Sequence, residues 1–171
     1  IYFMGADDSA NGKPIEAPAL TPISIPARLA DTPSDAPKYA VTVQDRAGAE
    51  VIVADPNATR AAVALMNVHA VVGGAACHWG GPAAFAEIMA ATHALMFATK
   101  GRQWHQAFHF VNDAGHTENG VYALRANYAF DGMSYETLRG FRGIESKLTG
   151  HGESHINPEG ILISNGPLGS G

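Results

Sequence analysis

Charge is what this 171-residue chain has little of: Asp, Glu, Lys and Arg make up 16% of it, against 46% apolar residues. A freely solvated surface carries more charge than that, so part of this surface is expected to be buried against another chain. The charge present is net acidic, −5, with no run of Lys or Arg, which argues against a nucleic-acid or anionic-membrane partner. Cysteine is nearly absent. Cys77 stands alone, so no internal disulfide forms and the fold does not depend on an oxidising compartment. A membrane-spanning apolar run is missing too, since the nearest candidate, Ala61 to Cys77, is interrupted by Asn67, His69, Gly73 and Gly74. No basic segment followed by an apolar one opens the chain, so no signal peptide is read and the cytoplasm is the expected location. Ile1-Tyr2-Phe3 precede the first methionine, and the last residues lie inside a glycine loop. Both ends therefore read as cuts in a longer polypeptide.

Taken in order, residues 1–37 read as an extended arm, because Pro14, Pro18, Pro22, Pro26, Pro33 and Pro37 recur through it. Proline removes a backbone donor and fixes φ, which leaves neither helix nor central strand. Ile23, Ile25 and Leu29 give the arm something to bury, so it is expected to strap over a neighbour. Residues 38–54 read as a β-hairpin, two β-branched runs around Asp45-Arg46-Ala47-Gly48. Asp55-Pro56 opens a helix over about 58–72, apolar nearly all round and so expected to be buried on every side. His69 on it reads as a core histidine bonded to backbone. A second helix is predicted over 83–99, with His93 and the methionines as core. Residues 106–111 read as a buried strand, 118–130 as a helix, and 135–141 as a short helix capped by Ser134. His105 and His109 lie four apart, but on a strand that puts them about 13 Å apart. No acidic or cysteine partner stands at ligand spacing, so no metal site is assigned to this chain.

Strands alternating with helices predict an α/β domain with a parallel sheet and helices on both faces, ligands sitting at the carboxyl ends of the strands. Ile161-Leu162-Ile163 reads as one such strand, although periodicity alone shares that reading with other buried segments. Asn165-Gly166-Pro167-Leu168-Gly169-Ser170-Gly171 follows it. Glycine there means a sharp turn or a close approach to a ligand, and an ordinary glycine-rich turn is the plainer alternative. Upstream, histidine meets glycine in Cys77-His78-Trp79-Gly80 and Ala114-Gly115-His116-Thr117, and again in Gly150-His151-Gly152-Glu153. At His116 a loop histidine meets a helix N-terminus, a geometry that favours an anion such as phosphate.

These turns, in this order, resemble the thiamine-diphosphate-binding domain of transketolases. That family carries a Gly-His-Pro-Gly turn, a Ser-Asn-Gly-His-Gly turn, a Gly-His-Pro-Glu loop and a Thr-Gly-Pro-Leu-Gly-Gln-Gly segment. Leu138 to Arg142, followed by Ser146-Lys147, is similar to the family's Leu-x-x-Phe-Arg and Ser-Lys link. The resemblance makes residues 55–171 the first part of such a domain. It implies thiamine diphosphate as cofactor, with Mg2+ held by residues outside this segment. It also implies a second subunit and the remainder of the enzyme to complete the active site. The reaction implied moves a two-carbon ketol unit from a ketose phosphate to an aldose phosphate. His78 and His151 would stand near the substrate's hydroxyls and reacting carbon, and His116 near the diphosphate or substrate. The backbone over Gly166, Pro167, Leu168 and Gly169 would line the cofactor.

Several residues depart from the pattern. Cys77 and Trp79 replace glycine and proline around His78, Thr117 replaces glycine after His116, and Ser170 replaces glutamine. The family's Gly-Asp-Gly…Asn magnesium segment and its activating glutamate are not found, so the segment alone is expected to be inactive. Two other readings stay open: another thiamine enzyme, such as a 2-oxoacid decarboxylase or dehydrogenase component or deoxyxylulose-phosphate synthase, and a non-catalytic module of the same shape.

Overall fold

The computed structural model describes residues 33–34, 36–98 and 108–166. Most of the expected arm lies outside the described residues, as do His105, residues 106–107, and Pro167, Leu168 and Gly169. Where the arm enters the described part, it is stitched to the helix core. Ser34 N donates to Tyr128 O (2.6 Å) and Lys38 N to Asn127 O (2.9 Å). The Asn127 amide closes on the backbone of Tyr39 from both sides.

The hairpin forms as the sequence predicts. β1 (Ala40–Gln44) pairs antiparallel with β2 (Glu50–Ala54), Ala40 opposite Ala54 and Gln44 opposite Glu50. Asp45 accepts from the amides of Ala47 and Ala49, and Gly48 supplies the left-handed φ of +81° that the turn needs. Only Val53 and Ala54 are buried, so the hairpin is planted in the core by one end. Asp55 then caps α1 (Pro56–Val72) by accepting from Asn57 N at 2.9 Å.

α1 buries one face, Thr59, Ala62, Val63, Met66, Asn67 and Ala70. The opposite face, with Leu65, Val68, Val71 and Val72, is exposed. The expectation of an all-round buried helix is therefore corrected: apolar composition does not say on how many sides neighbours sit. His69 is exposed as well, not a core residue. The predicted helix over 83–99 is two helices, α2 (Gly80–Ala84) and α3 (Ala86–Phe97). They meet at Phe85 (φ −99°, ψ 12°), whose N–H still bonds Gly81 O and whose carbonyl accepts from Met89 N. His93 is fully buried and bonds Met89 O, as expected.

α4 (Glu118–Asn127) is the axle, with every one of its residues buried. One side packs on Ala54, Met89, Ala90, Phe97, Tyr128, Phe130 and Leu162. The other packs on Val63, Met66, Leu138, Phe141, Leu148 and Ile161. α4 stops at Asn127, three residues early, because Ala129 turns left-handed (φ 50°) and a 3-10 turn, Phe130–Gly132, follows. The short helix expected over 135–141 is a 3-10 turn, Thr137–Gly140, with Ser134 and Thr137 exchanging bonds at its start.

Among the described residues the fold is mixed α/β, and the only sheet is the two-stranded antiparallel hairpin. The parallel sheet predicted from residues 106–111 and 161–163 is not seen. Ile161 and Leu162 are buried and Phe108 and Phe110 pack on the core, yet residues 108–111 and 161–163 take part in no ladder. A short apolar run specifies burial, while a ladder needs a partner backbone at hydrogen-bonding spacing along its length. The two segments instead flank a narrow cleft with Asn112, Glu118, Gly152 and Gly160. No described helix is long and apolar enough to cross a membrane.

Candidate functional site at the histidine loops

Three loops converge beside the N-terminal end of α4. The first carries His78, between α1 and α2. Its carbonyl is gripped by two buried asparagines: Asn67 Nδ2 donates to it at 2.7 Å and Asn119 Nδ2 at 3.1 Å, and Asn119 also reaches Asn67 Oδ1. Asn67 is the one buried polar side chain on the inner face of α1 besides Thr59. A buried amide in an apolar helix must find a partner, and here the partner is the loop.

The second loop, Asp113 to Thr117, tightens into a 3-10 turn at Gly115–Thr117. A Cβ on Gly115 would fall 2.6 Å from His151 O and closer still to Gly166 O. Glycine is therefore required, since the backbones of Gly115, His151 and Gly166 meet there. The third loop, Gly150 to Glu153, turns on Gly152 (φ +76°). The start of α2 closes the remaining side: a Cβ on Gly81 would lie 2.8 Å from Thr117 Cγ2 and 3.6 Å from His116 Nε2.

The result is one histidine cluster. The His78 ring lies edge-on to His116 at 5.2 Å and to His151 at 5.8 Å. Partial loss of water, then the neighbouring His116 and Arg142, hold His78 below the ordinary imidazole pKa. Loss of water, then Arg142 and His78, do the same for His151, with Glu153 opposing. Both rings are thus neutral near pH 7, able to donate at one nitrogen and accept at the other. His116 Nδ1 is buried without a hydrogen-bond partner among the described residues, an atom placed to meet a polar group of a ligand. Trp79 is exposed at the rim beside His78.

The structure thus brings His78, His116, His151 and Gly166 together. Pro167, Leu168 and Gly169 lie outside the described residues. His109 is exposed and, among the described residues, belongs to no cluster of metal-ligating side chains. Among the described residues no three His, Cys, Asp or Glu side chains could share a metal. None of Asn67, Asn112, Glu118, Asn119 and Arg142 is predicted from the sequence as a site residue. The signal for Asn67 was a lone amide on an apolar face; Arg142 reads only as the arginine of the Leu-x-x-Phe-Arg link, with no place in the site.

Residues 56–171 match the model of the family described as transketolase, thiamine diphosphate binding domain. The chain belongs to that family. It is 34% identical over 108 residues to a transketolase of Dictyostelium discoideum, 62% of this chain and 16% of that one. It is 32% identical over 116 residues to a transketolase of Kluyveromyces lactis, 66% of this chain and 17% of that one. A transketolase of Nostoc is 35% identical over 77 residues, 45% of this chain and 11% of the relative. The chain thus spans about a sixth or less of the length of these relatives. No solved structure matches it. Within the family frame, the turn that departs at Cys77 and Trp79 still delivers His78 to the other two histidines.

Proposed function

We propose that this chain supplies the first part of a thiamine-diphosphate site in a transketolase-like enzyme, which moves a two-carbon unit between sugar phosphates. The observation that carries the reading is the meeting of His78, His116 and His151, from loops far apart in sequence, against the backbone of Gly166. The donor set fits thiamine diphosphate. The unpartnered His116 Nδ1 can meet a phosphate or hydroxyl oxygen, and the Arg142 cation close to His78 and His151 favours an anion. When bound, the cofactor supplies the carbanion chemistry of carbon–carbon cleavage. The chain's own part is to bind, orient and move protons. His151 and His78, neutral and in contact, take or give a proton at the substrate's hydroxyls and reacting carbon. His116 would orient the diphosphate or substrate, and the backbone at Gly166 would border the cofactor. The described residues hold no group of three His, Cys, Asp or Glu side chains that could share a metal, and the Mg2+ ligands are expected outside this segment, with a second subunit and the rest of the enzyme completing the site.

The test is titration of the complete assembly with thiamine diphosphate and Mg2+, followed by turnover on ketose phosphates and on 2-oxoacids. Ketose phosphates are expected to be used. His151→Ala is expected to cut turnover by about 100-fold or more, as loss of a general acid–base group does, at an unchanged melting temperature. A preference for 2-oxoacids would move the chain to another thiamine enzyme, and absence of cofactor binding would end the reading.

A further inference from the structure

Glu118 opens α4, is 3% exposed, and belongs to none of the histidine motifs. A buried carboxylate is costly. Burial, against the pull of Arg125 and Asn112, pushes its pKa up to about 7. Replacing buried charged groups with apolar ones is often neutral or stabilising, so stability alone does not account for a carboxylate here. Its contacts do. Glu118 Oε2 accepts from Asn112 Nδ2 at 2.7 Å. The same Asn112 accepts from Thr117 Oγ1 at its Oδ1 (3.2 Å), and its carbonyl accepts from Asn165 Nδ2 (3.2 Å). On its other side Glu118 is roofed by Gly152: a Cβ there would stand 3.1 Å from Glu118 Cγ and 3.3 Å from Oε2. Thr117 follows His116, Gly152 follows His151, and Asn165 precedes Gly166. Through their side chains and the Asn112 carbonyl, Glu118 and Asn112 therefore touch every stretch that brings a group to the pocket from the C-terminal side of α3.

We propose that the buried Glu118–Asn112 hydrogen bond is the positioning element of the histidine pocket, setting how the His116 loop, the His151 loop and Gly166 sit against one another. Neither residue touches the reacting groups. They act through the loops, as hydrogen-bonded supports behind a site do. The binding arm of the test rests on the thiamine-diphosphate reading; the spectroscopic arm does not.

The experiment compares the parent with Asn112→Asp, Glu118→Gln and the double exchange, in the complete polypeptide. Asn112→Asp faces two carboxylates across the bond. The double exchange restores the bond with its polarity reversed, the amide now standing on α4 and donating to a carboxylate on the loop. Thiamine diphosphate affinity is measured by titration with Mg2+, the imidazole resonances of His116 and His151 by NMR, and folding by thermal denaturation. Asn112→Asp is expected to weaken cofactor binding about tenfold, the equivalent of one hydrogen bond to a charged group. It should also displace the resonances of both histidines together. The double exchange should return affinity to within about threefold of the parent, and the resonances with it. Should Asn112→Asp fail to fold, Asn112→Ala gives the same readings without the added charge. The proposal is overturned if the double exchange stays as impaired as Asn112→Asp while melting like the parent, or if the resonances of a folded Asn112 variant do not move. If the parent itself takes no thiamine diphosphate, the cofactor reading falls and the resonances alone decide the positioning role.

Discussion

The two ends of α4 are built from different materials. At its N-terminal end, Glu118 and Asn119 hold loops through hydrogen bonds to Asn112, Asn67 and the His78 carbonyl. At its C-terminal end, Tyr128 and Phe130 pack on Phe97, edge-on at 4.9 Å and stacked at 5.9 Å. Between them lies Arg125, its guanidinium 4.7 Å from the Phe130 ring and 5.3 Å from that of Phe110. It donates to His93 Nε2 (3.3 Å) and Gly160 O. Burial of large apolar rings is strong and non-directional, which suits an end that only has to stay closed. Hydrogen bonds are weaker in net energy but fix direction, which suits the end that must aim three imidazoles.

The comparison breaks most sharply at the aromatic end. Phe130→Ala removes a ring that is 0% exposed, at a cost of about 3–5 kcal/mol. Urea denaturation should show that loss in full, while the fraction still folded keeps its affinity for thiamine diphosphate. A fall in affinity equal to the fall in stability would mean that the two ends are one unit.

Gly115→Ala is the mirror experiment. The added methyl meets carbonyl oxygens of His151 and Gly166, neither of which can rotate away. Overpacking of this kind costs about 1–3 kcal/mol, less than Phe130→Ala. Binding should nonetheless suffer more, because the backbones that must separate are those of the pocket. Denaturation and titration on the same protein check the order.

The sequence was most legible where a local rule decides the outcome. Asp55-Pro56 starts α1, Gly48 turns the hairpin, and Gly115 beside His116 marks backbones in contact. It was least legible where the outcome depends on a remote partner. Nothing local says that Leu65 and Val68 stay exposed, that Ile161 and Leu162 are buried without pairing, or that Phe85 breaks a helix. The pocket itself was read by resemblance, because convergence of loops is a property of the whole chain. Glu118 was invisible for the same reason, since an acid in a first helical turn looks like a favourable surface charge until burial is known.

A smaller effect sharpens the polar end. Burial lowers His93 from 6.5 to about 3, so its contribution to stability is present above 6.5 and is lost as pH falls. Glu118 is raised from 4.5 to about 7, so its contribution is present below 4.5 and is lost as pH rises through about 7. Between 4.5 and 6.5 the two oppose, each by at most about 1.4 kcal/mol per pH unit. Glu118→Gln removes one of them. Its stability should fall more steeply on acidification through that window than the parent's does, as measured by denaturation at several pH values. An unchanged slope would place Glu118 in water.

The smallest expected effect concerns charge alone. Arg142 packs its guanidinium on Gly150, where a Cβ would sit 2.8 Å from Cζ. Its positive charge pulls the pKa values of His78 and His151 down together. Arg142→Met keeps most of the bulk and removes the cation. Both imidazoles should then titrate at higher pH, by less than loss of water lowers them, because loss of water is the larger cause for each. With a higher native value, less of their stability contribution is lost on acidification below 6.5. NMR titration of the His78 and His151 resonances reads this directly. A shift of His151 without His78 would mean that the cation serves one loop only, and that the cluster is not the single electrostatic unit its ring contacts describe.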